Sequence, residues 1–193
     1  MNNGIERELK MSLNEAEYEA LLSAGNVPAV KQTNYYFVAS GMPQDVMVRI
    51  RHKNGGYMFC YKKLLKSYGG INVCDEREAR LDESAAYALL DFGVTPSDLK
   101  ALVDVDLPYT LKCAGSLDTY RAAFTLDCRA IELDKNEYLG VTDYELECEC
   151  ASDELLNKLK DYLLNNFSIA YKPSPSKSAR FFKRLLQTNN ERS

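Results

Sequence analysis

The chain predicts an α+β fold, and three patterns carry that prediction. Segments whose side chains alternate in character with a period of two recur along most of its length. Helical stripes interrupt and follow these segments, and turn residues separate them. In several segments one face holds charged residues almost exclusively.

The elements follow in chain order. Glu6-Arg7-Glu8-Leu9-Lys10 sets two carboxylates and an amine on alternate residues, so a β-strand projects all three to one side. A helix is expected over 12–24. There Ser12 and Glu15 have capping-box spacing, Leu13, Ala16, Ala20, Leu21 and Ala24 form an apolar stripe, and Gly25 ends it. A strand over 31–39 precedes the turn residues Ser40-Gly41-Met42-Pro43, and segments 45–52 and 57–64 flank Asn54-Gly55-Gly56 as a hairpin. Strand 72–81 leads to a short helix starting near Asp82, and Thr95-Pro96 opens another with proline in its first turn. Four more strands are expected at 107–114, 117–126, 129–134 and 141–150. Ser152, followed by Asp153 and Glu154, begins an amphipathic helix to about Asn166, and a last helix is expected from Pro175 to Gln187.

At 193 residues the chain suits one domain, 1–193, with a substantial core. Its 46% hydrophobic and 27% charged residues are ordinary for a globular protein. A formal charge of −4 provides no global attraction to nucleic acid or an anionic membrane, so neither is an expected partner. Six cysteines form no C-x-x-C pair, and the lone His52 cannot complete a Cys/His zinc set. The first residues lack a basic, then apolar, leader, and no apolar run approaches the roughly 20 residues of a membrane span. A reduced, cytoplasmic protein is the expectation, with a homodimer compatible.

The charged faces narrow the function. Val48-Arg49-Ile50-Arg51 sets arginines against apolar residues, Glu76, Glu78 and Arg80 share a side, and Glu145, Glu147 and Glu149 share another. A solvated outer face is one reading of each strand alone. Taken jointly they favour another, because three adjacent glutamates repel unless cations sit among them. A sheet closed into a barrel with charged faces inward brings both signs to one lumen, and a barrel of about eight strands holds one small ligand. Arg and Lys suit phosphate oxygens. Glutamates on the same wall repel phosphate unless they hold a hard divalent cation, Mg²⁺ or Mn²⁺. A metal-bound polyphosphate satisfies both sets.

Glu6-x-Glu8-x-Lys10 resembles the E-x-E-x-K motif of the CYTH superfamily, the triphosphate tunnel metalloenzymes. The likeness continues in order through Gln32-Thr33-Asn34-Tyr35-Tyr36-Phe37, Arg49-Ile50-Arg51, Tyr61-Lys62, Glu76-Arg77-Glu78 and Thr119-Tyr120-Arg121. It ends with Asp143-Tyr144-Glu145-Leu146-Glu147, then Lys172 and Ser176-Lys177-Ser178-Ala179-Arg180. The Q-x-N-x-Y-F form is similar to the Bacillus-type, Firmicute branch. One departure is Val38, where many members carry Asp after Tyr-Phe. The resemblance implies an eight-stranded antiparallel β-barrel or tunnel with a charged lumen, helices packed outside, and dependence on Mg²⁺ or Mn²⁺.

It also implies roles. Glu6, Glu8, Glu145 and Glu147, with Glu149 as an optional addition, would hold metal. Lys10, Arg49, Arg51, Lys62, Arg121, Lys177 and Arg180 would grip a triphosphate, Lys62 being preferred to Lys63 on strand parity. Glu76 or Glu78 would orient the attacking water or support the basic set, and Lys10 joins them in the catalytic set, although a solvated strand edge explains those two glutamates equally well. For Lys177 and Arg180 the competing reading is a plain amphipathic helix that buries Phe181, Phe182, Leu185 and Leu186. The expected activity is a metal-dependent triphosphatase, with inorganic triphosphate the leading substrate. Thiamine triphosphatase or class IV adenylate-cyclase-like activity, and a non-catalytic polyphosphate- or nucleotide-binding module, are the alternatives.

Overall fold

The computed structural model describes residues 5–68, 71–149 and 152–191, with side chains in the first strand described from Leu9 onward. Its elements begin with β1 (Ile5–Leu13), α1 (Glu15–Gly25), β2 (Val30–Val38), β3 (Val46–Lys53), β4 (Gly56–Tyr68) and β5 (Ile71–Leu81). Then come α2 (Glu83–Phe92), α3 (Pro96–Val103), β6 (Lys112–Leu126), β7 (Arg129–Tyr138), β8 (Val141–Glu149), α4 (Asp153–Phe167) and α5 (Lys177–Glu191). Eight strands and five helices among the described residues make the α+β class expected from sequence, and every strand pairing described within the units below is antiparallel. The chain forms two compact units, Gln32–Leu117 and Glu6–Lys31 with Asp118–Ser193. Among the described residues no helix is long and apolar enough to cross a membrane.

In the first unit β2, β3, β4 and β5 pair in sequence order. The β3–β4 hairpin turns at Asn54 and Gly55, both at positive φ, which suits the twist of the flanking strands. Val48, Ile50 and Phe59 are fully buried on one face, against Ala86 of α2 and Leu99 of α3. Asp82 caps α2, and Thr95 with Asp98 makes the reciprocal box that starts α3. Gly93 ends α2 at φ 93, where a Cβ would lie 2.4 Å from the Leu111 carbonyl oxygen. Only glycine suits both the conformation and that approach.

In the second unit the strand order is β6, β7, β8, β1. Leu9, Met11, Leu133 and Leu146 point to one face, covered by Leu21 of α1 and by Leu159 and Leu163 of α4. The charged residues alternate with these apolar ones and so take the opposite face. Helix α5 behaves differently from the other four. Phe181, fully buried, lies 6.3 Å from Tyr138 between ring centroids, and Arg184 donates to the Leu139 carbonyl, which ties α5 to the β7–β8 turn.

Four expectations are corrected. Residues 12 and 13 belong to β1 and not to the first helix. The Ser12 amide donates to the Lys172 carbonyl at 2.9 Å, and Asn14 with Glu17, a pair with the same spacing as Ser12 and Glu15, forms the capping box. Strands 107–114 and 117–126 are replaced by one strand from Lys112 to Leu126, which runs through Gly115 at φ 139, a conformation open to glycine. Strand 129–134 runs on to Tyr138: Asn136 is fully buried, accepting from Thr119 and donating to Asp143 and Glu145. The last helix starts at Lys177, since the Ser176 hydroxyl accepts from the Ala179 amide as a cap would, and it extends past Gln187 to Glu191.

Candidate metal and phosphate site

Register explains how the charged face of the second unit is assembled. Lys10 lies opposite Glu147, Glu147 opposite Glu132, Glu145 opposite Asp134, and Asp134 opposite Arg121. Four strands thus bring alternating acids and bases side by side, and the first turn of α5 adds Lys177 and Arg180. Asp134 and Glu145 are wholly buried and Glu147 is 7% exposed. Burying three carboxylates is costly unless cations and hydrogen bonds compensate.

The compensation is dense. Arg121 holds Asp134 with both prongs of its guanidinium, at 2.8 and 2.6 Å, and reaches Glu147 at 2.8 Å and Glu132 as well. Lys177 Nζ lies 2.7 Å from Asp134 and 2.8 Å from Glu147, and it pairs also with Glu145. Lys10 Nζ is 2.9 Å from Glu147. Arg180 grips Asp143 at 2.9 and 3.2 Å and Glu145 at 2.8 Å, and donates to Ser174 and the Pro175 carbonyl.

Burial alone would push the Glu147 carboxyl up, but Lys177, Lys10 and Arg121 together hold it well below the usual carboxylate range. Burial likewise opposes ionisation of Glu145, and Lys177 and Arg180 outweigh it. Lys177 is raised, the carboxylates of Asp134, Glu145 and Glu147 overcoming its burial. Burial and then Asp143 push Tyr138 up to about 12, so its hydroxyl remains the donor to Asp143 at 2.6 Å.

The acidic oxygens of Asp134, Glu145 and Glu147 lie within 4.8 Å of one another. These are hard oxygen donors, suited to Mg²⁺ or Mn²⁺. A cation already fits among them, because the Lys177 ammonium contacts all three. The donor set is one that could hold a hard divalent cation.

The first unit has a charged face of its own. Arg49 lies opposite Cys60 and Cys60 opposite Glu78, while Lys62 lies opposite Glu76 and forms an ion pair with it. Asn34 accepts from Arg51 Nε at 3.2 Å, and the Cys60 thiol donates to Glu78 at 3.3 Å. Lys63 sits opposite Asp75, one residue out of step, so Lys62 is the lysine on the face of Arg49 and Glu78. Glu76 and Glu78 are exposed.

The structure thus gathers Lys10, Arg121, Lys177, Arg180, Glu145 and Glu147 in one unit, and Arg49, Arg51, Lys62, Glu76 and Glu78 on one face of the other. Glu6 and Glu8 lie on β1, and their side chains fall outside the described residues. Glu149 is exposed at the end of β8, opposite Glu8. Asp134 was missed from sequence. The sequence carries a signal for it, since Glu132, Asp134 and Asn136 keep the two-residue period of a strand.

Comparisons with known proteins show the family and the fold. The CYTH domain profile matches residues 4–182. A Bacillus subtilis (strain 168) protein named "Putative triphosphatase YjbK" is 28% identical over 188 residues, covering 94% of this chain and 96% of its own. A crystal structure from Bacillus halodurans, described as a "putative adenylate cyclase", is 27% identical with a TM-score of 0.75, covering 94% of this chain and all of its own. A Hippeastrum protein, HpAC1, whose description reports a dominant triphosphatase activity, has the same fold at 23% identity and a TM-score of 0.74, over 93% of this chain and 96% of its own. With the profile spanning nearly all of its length, the chain belongs to the CYTH domain family.

Proposed function

We propose that the protein is a triphosphatase, hydrolysing the phosphoanhydride bond of a triphosphate with Mg²⁺ or Mn²⁺, and that inorganic triphosphate is its preferred substrate. One observation carries this reading: on one face of the second unit, four cations interleave with three carboxylates close enough to share an ion. That arrangement suits an anion arriving together with a divalent metal. The triphosphatase name of the Bacillus subtilis relative supports the same reaction.

The roles follow from the chemistry of each side chain. Glu145 and Glu147, joined by Asp134 and by Glu6 and Glu8 from β1, would hold the metal. Bound there, the metal would neutralise charge on the phosphoryl group and lower the barrier to attack by water. Arg121 and Arg180 offer planar forks to phosphate oxygens, while Lys10 and Lys177 offer point charges. Arg49, Arg51 and Lys62 are assigned to phosphate as well. Glu76 or Glu78 would orient the attacking water, Glu76 being restrained by Lys62 and Glu78 by the Cys60 thiol.

Phosphate release from purified protein tests the reading, with inorganic triphosphate, ATP and thiamine triphosphate each offered with Mg²⁺, Mn²⁺ or EDTA. Turnover is expected with metal and lost in EDTA, fastest with inorganic triphosphate. If no substrate turns over, yet triphosphate binds in EDTA, the protein is a binding module and not a hydrolase.

A further inference from the structure

On the reading that Asp134, Glu145 and Glu147 hold the metal, Lys177 stands where that metal must go. Its ammonium contacts all three carboxylates, at 2.7 Å from Asp134 and 2.8 Å from Glu147. An ammonium and a divalent cation repel strongly at such distances in a buried site. For the metal to enter, the ammonium must leave.

The neighbouring cations are less able to move. Arg121 is clamped on Asp134 by two bonds and on Glu147 by a third, and Arg180 is clamped on Asp143 and Glu145. Lys177 makes point-charge contacts from a flexible stem. It also begins α5, a helix with no acidic residue in its first turn. A cation there opposes the helix dipole, whereas a phosphate there is favoured. Swinging from carboxylates to phosphate would leave the cage to the metal and the ammonium with a new partner.

We propose that Lys177 is an exchangeable counter-ion: it closes the carboxylate cage to a free divalent cation, and a bound triphosphate draws it away. Metal and triphosphate therefore enter as a coupled pair, and by linkage each tightens the other. The site thereby discriminates a metal-bound polyphosphate from the free metal.

The experiment is Mn²⁺ binding without polyphosphate, read by the signal of free Mn²⁺ in electron paramagnetic resonance. It compares the native protein with Lys177→Gln, with Lys177→Met as a second uncharged variant should the first not fold. Lys10→Gln is the control, since it removes one charge from Glu147 but leaves Lys177 in the cage. The Lys177 variants should bind Mn²⁺ on the order of tenfold tighter or more, within the roughly 5–150-fold usual for coupled sites, and Lys10→Gln should gain less. The proposal is overturned if the Lys177 variants bind no tighter than the native protein, or if Lys10→Gln gains equally. Mn²⁺ binding by none of these proteins would remove the metal assignment and this proposal with it. Turnover with unmoved Mn²⁺ affinity would sink the exchange alone, and tightened affinity without turnover would sink only the hydrolase reading.

Discussion

Glu147→Gln removes one negative charge from the centre of the cage while keeping the side chain's shape, so packing changes little. Glu147 now faces Lys177 at 2.8 Å, Lys10 at 2.9 Å and Arg121 at 2.8 Å, and is 7% exposed. Removing one partner from a buried charge cluster typically costs about 3–5 kcal/mol. Relief of the repulsion from Glu145 places the expected loss at the low end, about 3 kcal/mol, or roughly 6–12 °C in Tm for a chain of this size. The pH dependence has a definite sign. A folded-state pKa depressed below the ordinary 4.5 means that the stabilisation is full above that pH and is lost as pH falls through the folded value. Each pH unit below 4.5 removes about 1.4 kcal/mol, so about 2 kcal/mol of the gap should be gone by pH 3. Urea unfolding of both proteins at pH 7 and through pH 5 to 3 measures this. A variant within 1 kcal/mol of the native protein at pH 7, or a gap that does not narrow on acidification, would refute the electrostatic account.

Two further substitutions probe other parts of the structure. Arg121→Lys keeps the charge but cannot reproduce the fork on Asp134, so KM for inorganic triphosphate should rise about tenfold, equivalent to ~1.4 kcal/mol; steady-state kinetics with an unchanged KM would remove Arg121 from the phosphate set. Gly93→Ala forces a Cβ to within 2.4 Å of the Leu111 carbonyl at φ 93, which should lower stability by about 2 kcal/mol or more; thermal unfolding with no fall in Tm would show that the backbone there yields freely.

Much of the fold was legible because its local signals are strong. Asp82 and Thr95-Pro96 cap their helices as expected, and the Asn54-Gly55 turn sits at the required positive φ. The misplacements share a cause: two local readings fitted the same residues. Ser12 and Glu15 have the spacing of a capping box, but so do Asn14 and Glu17, and the bond from Ser12 to the distant Lys172 carbonyl settled the choice. The expected strand 129–134 stopped short of Asn136, whose partners, Thr119, Asp143 and Glu145, lie on neighbouring strands and leave no local signal.

By itself the sequence determined which side chains share a face. That follows from the two-residue period of a strand, which puts Glu145 with Glu147, Arg49 with Arg51 and Glu76 with Glu78, whatever the surroundings. Tertiary structure decided which of these faces meet which charges. Strand register set Asp134 beside Glu145 and Arg121, and the packing of Phe181 beside Tyr138 brought Lys177 among three carboxylates. Those contacts join residues far apart in the chain, and no local periodicity encodes them. The charges were readable as letters; their neutralisation, and the cation already seated in the cage, depend on how the strands and α5 pack together.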